Sequence, residues 1–220
     1  MSPSDPLILG FDTSAAHCAA ALLSGNRVIS AAHEEMGKGQ AERLMPLIQD
    51  VLDEAGVALR DLDAIGVGIG PGNFTGIRIS VSAARGLGLA LGIPAVGVTL
   101  LDALALDGPR PMLACLDARR DNLYLQRFAD GAERGPDLVP LSEARDWALP
   151  GITVVGQRSD EVAQSIGAAH APAAHAPASA IARLAAKHWQ DPDLPRPAPL
   201  YIRPADAAPS RETGPVILPG

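Results

Sequence analysis

The feature that most constrains the fold is a glycine-rich segment between a buried strand and a long helix. Residues 64–69 are predicted to be a strand whose alternating glycines leave room for something to approach the backbone. The loop 71–74 follows, and Thr75 is a good N-cap for a helix that runs to about Leu91 and ends at Gly92. A strand that leads into a helix through a tight loop is a unit of α/β folds.

The elements around this unit define its class. Residues with helical spacing cover Gln40–Ala55, where Pro46 lies either in the first turn of a shorter helix or at a kink. Short apolar runs separated by polar turns predict an antiparallel meander before that helix and one more strand after the second helix: 7–12, 18–23, 28–32 and 94–98. This order is typical of the ribonuclease-H-like arrangement, an α/β fold with a mixed sheet.

The second half repeats the pattern more weakly. Strands are predicted at 112–116, 123–128 and 152–155, and a helix at 181–189. An alanine, histidine and proline tract at 168–178 is predicted to lie on the surface. We therefore expect an N-terminal lobe at 1–103 that carries both long helices, and a smaller C-terminal lobe with a proline-rich tail at 104–220.

Charge and cysteine content limit the classes of function. With 18 basic and 25 acidic residues, the net charge of −7 argues against a chain that grips nucleic acid alone. Cys18 and Cys115 are predicted to be reduced, buried thiols. No apolar stretch approaches the length of a membrane span, and residues 1–6 do not resemble a signal peptide. A soluble cytoplasmic protein without membrane contact is expected.

Two segments could carry chemistry. Asp12, Thr13 and Ser14 end the first strand, where a carboxylate and two hydroxyls can hold a metal-bound water or a phosphate, or simply close a hydrogen-bonded turn. The glycine-rich loop could present amides to an anion, or could need glycine only for its backbone angles. It fits neither the dinucleotide fingerprint nor the P-loop.

Catalytic groups are harder to find. The five histidines show no pair at the spacing of two ligands on one helix face, and no Gly-x-Ser-x-Gly elbow is present. Neither cysteine lies beside a cluster of basic residues that would activate it. The turn at 117–121 could contact a ligand across a cleft, or could be a solvated, salt-linked turn. We predict no metal site and no catalytic residue.

Several of these segments together resemble the TsaB family, also called YeaZ. The resemblance rests on residues 8–14, 42–48, 68–79, 117–120 with Tyr124, and 199–203, of which the Gly-Pro-Gly-Asn-Phe-Thr-Gly-Ile-Arg run is the most specific. It implies an actin-like ATPase (ASKHA) fold of two ribonuclease-H-like lobes, the second reduced. It also implies kinship to TsaD, the catalytic paralogue, which carries a His-x-x-x-His metal pair on the first helix after the meander.

At the matching positions this chain has Gln40 and Leu44, so neither ligand is present. The resemblance therefore implies a non-catalytic scaffold that binds and activates TsaD, with TsaE joining the complex. That complex transfers threonylcarbamoyl to the adenosine beside the anticodon of transfer RNA. The chain would reach tRNA only through the complex, and it would need no cofactor.

The resemblance also implies pairing through the two long helices. Residues on their apolar stripes are predicted to include the TsaD-binding surface, although such stripes can instead face their own sheet: Leu44, Leu47, Ile48, Val51, Ile77, Val81, Ala84 and Gly88. A vestigial nucleotide site with weak affinity for ATP or ADP is placed at Asp12, Thr13, Ser14, Gly70, Gly72, Thr75 and Gly76.

Two alternatives remain at this point. The first is an enzyme, either an actin-fold nucleotide-binding protein or a glycoprotease-like hydrolase of the M22 type. The second is a structural protein whose two helices form a homodimer. The sequence leaves open whether the isolated chain is a monomer or a homodimer.

Overall fold

The computed structural model describes residues 5–202, which form two five-stranded mixed sheets. The first sheet has the strand order β3-β2-β1-β4-β5, with β1–β2 and β2–β3 antiparallel and the other pairs parallel. Its elements are β1 (Leu7–Asp12), β2 (His17–Ser24), β3 (Arg27–Glu35), α1 (Gln40–Ala55), β4 (Ala64–Gly68), α2 (Phe74–Leu91) and β5 (Ala95–Val98).

The second sheet has the order β10-β9-β6-β7-β8 and the same pattern of parallel and antiparallel pairs. Its elements and helices are α3 (Leu100–Ala105), β6 (Met112–Asp117), β7 (Asn122–Phe128), β8 (Arg134–Pro140), β9 (Thr153–Gly156), α4 (Ser159–Ile166), β10 (Ala169–Ala171) and α5 (Pro177–His188). Short 3-10 helices lie at Leu59–Asp61 and Leu141–Trp147. The repeated topology confirms the predicted α/β fold of two ribonuclease-H-like units.

Alternation along β1 distributes its side chains between two layers. Leu9 and Phe11 pack with α1 and α2 on one face of the first sheet, whereas Ile8 packs with α5 on the other. The second sheet is covered by α4 and the 3-10 helix Leu141–Trp147 on one face, and by α3 on the other. One buried cluster joins α3, α5 and the inner strands of both sheets.

The glycines of the first sheet allow α5 to approach its backbone closely. A Cβ atom at Gly66 would lie 2.8 Å from the Cβ of Ala185 and 2.9 Å from the carbonyl oxygen of Ile181, and one at Gly10 would overlap the backbone at Ala178. The predicted room beside Gly66 is thus filled by the chain itself. Because α5 comes from near the end of the chain, residues of the predicted 104–220 lobe cover the first sheet. The lobe boundary at 103/104 stays a prediction.

The helix ends differ in detail from the sequence expectation. The first helix begins at Gln40, so Pro46 lies inside it, and Gly56 and Gly92 end the two long helices in left-handed conformations. The second helix begins at Phe74 and is capped by Asn73, not by Thr75. The elements α3, β8, α4 and β10 were not predicted. Among residues 5–202, no helix is long and apolar enough to cross a membrane.

Candidate functional site

The turn that ends β1 is completely buried. Asp12, Thr13 and Ser14 each have 0% of their surface exposed. One Asp12 carboxylate oxygen, Oδ2, accepts hydrogen bonds from the Ser14 amide at 3.1 Å and from the Ser14 hydroxyl at 2.9 Å, and it lies 2.7 Å from His17 Nε2. The other oxygen, Oδ1, has no hydrogen-bond partner within residues 5–202 and lies against Gly68. The carboxylate is therefore used locally, within its own hairpin.

The glycine-rich loop packs directly against this turn. The Thr13 hydroxyl donates to the Gly76 carbonyl oxygen at 2.7 Å, and the Asn73 amide donates to the Ser14 carbonyl oxygen at 2.6 Å. A Cβ atom on Gly72 or Gly76 would overlap the carbonyl oxygen of Ser14 or Thr13, respectively. The turn and the loop are thus in direct contact with each other.

The first amides of α2 are already occupied. The Asn73 side-chain oxygen accepts hydrogen bonds from the amides of Thr75 at 2.9 Å and Gly76 at 3.1 Å. These are the groups that an anion at this helix end would use. Gly70 is buried, and the Ile77 side chain lies against it. A nucleotide at the seven predicted residues would need the loop and the turn to separate, and its binding there stays a prediction.

The positions that match the TsaD metal pair have other roles in this chain. The Gln40 side-chain amide donates to the carbonyl oxygens of Ala15 and Met36, both at 3.3 Å, and Leu44 packs in the core. His17 and His33 lie with their ring centroids 4.9 Å apart, and His33 pairs with Glu35. Within residues 5–202, no group of three or more His, Cys, Asp or Glu side chains is arranged to hold a metal ion.

Both cysteines are free thiols in the core. Loss of solvent raises the pKa of Cys18 to about 11, and the Glu34 carboxylate adds to this shift. Burial raises the pKa of Cys115 to about 12. A nucleophilic cysteine needs the opposite shift, because the thiolate is the reactive form. Neither side chain is therefore prepared for covalent catalysis.

The eight residues predicted for the partner surface are buried instead. All eight face the sheet or the neighbouring helix: Leu44, Leu47, Ile48, Val51, Ile77, Val81, Ala84 and Gly88. Since the chain itself covers these side chains, we correct the assignment: a partner that binds the folded chain on α1 and α2 would contact the outward faces. These eight residues thus fit the alternative interpretation, in which the apolar stripes face their own sheet.

The outward face of α2 carries small residues with one large apolar neighbour. Ser82, Gly86 and Ala90 are exposed and stand four residues apart, which places them in one row along the helix. Leu89 beside them is 87% exposed, and Met45 on α1 is 41% exposed. A Cβ atom on Gly86 would meet no atom within 4 Å. Nothing in residues 5–202 requires glycine at this position.

The C-terminal segment reaches the start of α2, which sequence reasoning missed. Phe74 and Tyr201 stack with their ring centroids 5.2 Å apart. The Arg78 guanidinium lies 3.7 Å from the centre of the Phe74 ring, and its Nε donates to the Tyr201 hydroxyl at 3.0 Å. The resemblance had singled out the 199–203 run, and of this run Arg203 lies outside the described residues. No local pattern could have linked positions 123 residues apart.

Salt bridges join the turn at 117–121 to Arg158, in agreement with the interpretation of this segment as a salt-linked turn. Arg158 contacts Asp117 and Asp121 at 3.3 Å each and Glu161 at 2.7 Å. Arg119, Arg120 and Asp121 all have positive φ angles, between 51° and 64°. Three consecutive residues in the left-handed region form an unusually constrained turn for side chains other than glycine.

Comparisons with known proteins agree with this architecture. A family model described as "TsaD: tRNA N6-adenosine threonylcarbamoyltransferase" matches residues 28–201. An uncharacterized protein of Mycobacterium tuberculosis is 34% identical over 173 residues, covering 78% of this chain and 79% of the relative. The Escherichia coli tRNA threonylcarbamoyladenosine biosynthesis protein TsaB is 35% identical over 138 residues, which are 59% of each chain. The structure of YeaZ from Pseudomonas aeruginosa is similar with a TM-score of 0.71 and 30% identity, covering 89% of this chain and 99% of that one.

Proposed function

The chain belongs to the TsaB/YeaZ family, and from this membership we propose that it is a non-catalytic subunit in the threonylcarbamoyladenosine modification of tRNA. In this proposal the chain binds and activates a TsaD-type transferase, and a TsaE-type protein joins the pair. Contact with tRNA is made through the assembled complex, since the net charge of this chain is −7.

The residues at the catalytic positions of the paralogue support the non-catalytic part. Gln40 uses its amide to bind two backbone carbonyl groups, and Leu44 is 1% exposed. At the two positions of the TsaD metal ligands, this chain therefore has a glutamine that binds the backbone and a leucine in the core. The helix is kept, but the metal ligands are lost. The raised pKa values of Cys18 and Cys115 leave no reactive thiol to take its place.

The observation that carries the partner proposal is the exposed row Ser82, Gly86 and Ala90 on α2. Glycine inside a helix costs about 1 kcal/mol relative to alanine, and no neighbour in the described chain occupies the space beside Gly86. A helix of a partner could approach the α2 backbone closely there. Leu89, at 87% exposure, would then be covered by that helix.

On α1, the exposed residues Ala41, Met45 and Gln49 are also spaced by four and extend this face. We therefore assign the partner surface to the outward faces of α1 and α2, on the same two helices as the original prediction. A second copy of the chain is the other candidate occupant. Mass measurement of the chain alone, and of the chain mixed with the TsaD-type protein, separates a homodimer from a heterodimer.

Reconstitution of the modification tests the function as a whole. Unmodified tRNA is incubated with the TsaD-type and TsaE-type proteins and the enzyme that makes threonylcarbamoyl-AMP, with and without this chain. We expect modified tRNA only when the chain is present, and no nucleotide turnover by the chain alone. Equal modification without the chain would exclude the subunit role and would reopen the actin-fold and glycoprotease-like enzyme alternatives.

A further inference from the structure

A second site candidate lies away from the α1 and α2 face, beside the second sheet. An open cavity of ≈ 580 Å³ is formed where the β6–β7 turn, the 3-10 helix after β8 and the end of α4 meet. Hydrogen-bond donors dominate its polar lining, which includes Arg120, Asn122, Ser142, Arg145 and Ser165. Such a lining favours an anionic ligand.

Arg145 is held in place through one edge of its guanidinium. Its Nε donates to the carbonyl oxygen of Ser165 at 2.9 Å, which ties the 3-10 helix to α4. No hydrogen bond or ion pair within residues 5–202 uses its two terminal nitrogens. The Ser165 hydroxyl is itself engaged, since it donates to the Val162 carbonyl oxygen at 2.8 Å. The free edge of the Arg145 guanidinium is thus oriented but unpaired.

Hydrogen bonds from neighbouring residues fix the backbone at Arg120. The Asn122 side-chain amide donates to the carbonyl oxygens of Arg119 at 3.3 Å and Arg120 at 3.0 Å. The Leu141 amide donates to the Asp121 carbonyl oxygen at 2.8 Å, which joins the turn to the 3-10 helix. The Arg120 side chain itself is exposed and makes no hydrogen bond or ion pair in the described part of the chain.

One carboxylate, Asp121, also lines the cavity. Asp121 contacts Arg158 at 3.3 Å, and Arg158 is the same residue that holds Asp117 and Glu161. Arg158 thus contacts three carboxylates with one guanidinium group, and Arg120 is paired with none of them. The cavity is therefore lined by two guanidinium groups that have free donors within residues 5–202, together with the Asp121 carboxylate.

We propose that this cavity binds a phosphate group through Arg120 and Arg145, with the Ser142 hydroxyl as a third donor. Guanidinium groups match phosphate oxygens with pairs of parallel hydrogen bonds, and two of them on one phosphate give a charge-assisted site. The phosphate can belong to a backbone segment of RNA or to a small molecule such as pyrophosphate. The site does not depend on the proposed partner, so either conclusion can fail alone.

The test uses the full chain with two kinds of probe. Sodium phosphate and pyrophosphate are titrated while the Nε–H signal of Arg145 is followed by NMR, and labelled unmodified tRNA is titrated by fluorescence anisotropy. The Arg120→Ala/Arg145→Ala variant is compared with Arg60→Ala/Arg196→Ala, which removes the same charge from exposed arginines outside the cavity. We expect the first variant to weaken binding about tenfold or more, and the control to change it little.

Ser142→Asp provides a second test, because it places a carboxylate in the cavity without removing an arginine contact. It should weaken binding to a similar degree while the thermal unfolding of the chain stays near that of the wild type. Binding of tRNA but not of the small anions would assign the phosphate to RNA, and the reverse result would assign it to a small molecule. The proposal is overturned if the wild type binds no probe, or if the cavity variants bind as well as the control.

Discussion

The Thr13 hydroxyl donates a 2.7 Å hydrogen bond to the carbonyl oxygen of Gly76, 63 residues further along the chain. This contact fastens the end of β1 to the first turn of α2. It depends on glycine at position 76, where a Cβ atom would overlap the Thr13 carbonyl oxygen. The fold therefore requires glycine at position 76, unlike at position 86 of the same helix.

Gly76→Ala should lower the free energy of unfolding by about 1–3 kcal/mol, because the backbone at Thr13 must move to admit the methyl group. Gly86→Ala, in the same helix, should raise it by about 0.5–1 kcal/mol, because the added methyl group meets open space and alanine favours the helix. Urea unfolding of both variants measures the difference. Equal effects of the two substitutions would contradict the packing described for the turn and the loop.

Gly86→Arg should abolish binding to the TsaD-type partner in size-exclusion chromatography and calorimetry, because a long side chain prevents close approach of a helix. Gly86→Ala should weaken binding by a smaller factor even though it stabilises the isolated chain. The matched control is Gln164→Arg on α4, which adds the same side chain at an exposed helical position of the second sheet. Unchanged affinity of a folded Gly86→Arg variant would remove this face from the interface.

Stability at alkaline pH should depend on the two thiols. Their pKa values are raised from 9.0 in the ordinary thiol to about 11 for Cys18 and about 12 for Cys115. Because the unfolded chain loses these protons first, the stabilisation is complete below pH 9 and is lost progressively as the pH rises towards 12. Each thiol contributes at most about 1.4 kcal/mol per pH unit over its own interval.

The Cys18→Ala/Cys115→Ala variant should therefore lose stability less steeply than the wild type between pH 8 and 10.5. Urea unfolding at several pH values supplies the slopes, and the comparison cancels the titration of other groups. Parallel slopes for the two proteins would show that the thiols ionise as readily in the folded chain as in the unfolded one.

The contact of the C-terminal segment with α2 should be measurable. Tyr201→Phe removes the hydrogen bond from Arg78 but keeps the stack on Phe74, and it should cost about 0.5–1 kcal/mol of unfolding free energy. Tyr201→Ala also removes the stack and should cost about 1–2 kcal/mol. A cost for Tyr201→Phe equal to that for Tyr201→Ala would mean that the ring adds nothing beyond its hydroxyl.

The sequence predicted the order of the elements in the first sheet because their apolar periodicity is strong. It missed β8, where Gly135 and Pro136 interrupt the strand pattern, and α3, which has only six residues. Asn73 and Thr75 are both good helix caps, and in the structure the cap is Asn73, whose amide contacts Ser14. Periodicity carries no information about such a contact.

The sequence could not tell the buried row of α2 from the exposed row, for a physical reason. Ala84 and Gly88 lie inside, whereas Gly86 and Ala90 lie outside, and small side chains differ too little in hydrophobicity to distinguish the two rows. The nucleotide site that the resemblance implied grouped the loop with the turn, and the two lie together because each follows the carboxyl end of one of two neighbouring strands. Their close contact is made by the backbone carbonyl groups of Thr13 and Ser14. Every residue carries such a group, so the residue types do not predict this contact.

The position of α5 on the first sheet has a consequence for synthesis of the protein on the ribosome. All five strands of that sheet have been translated at Val98, yet the helix that covers one of its faces ends at His188. At about 5–20 residues per second, the intervening chain of about 90 residues takes roughly 5–18 s to translate. During that time the sheet face that α5 covers in the folded protein lacks this helix, so we expect the nascent chain to be prone to aggregation unless the face is shielded.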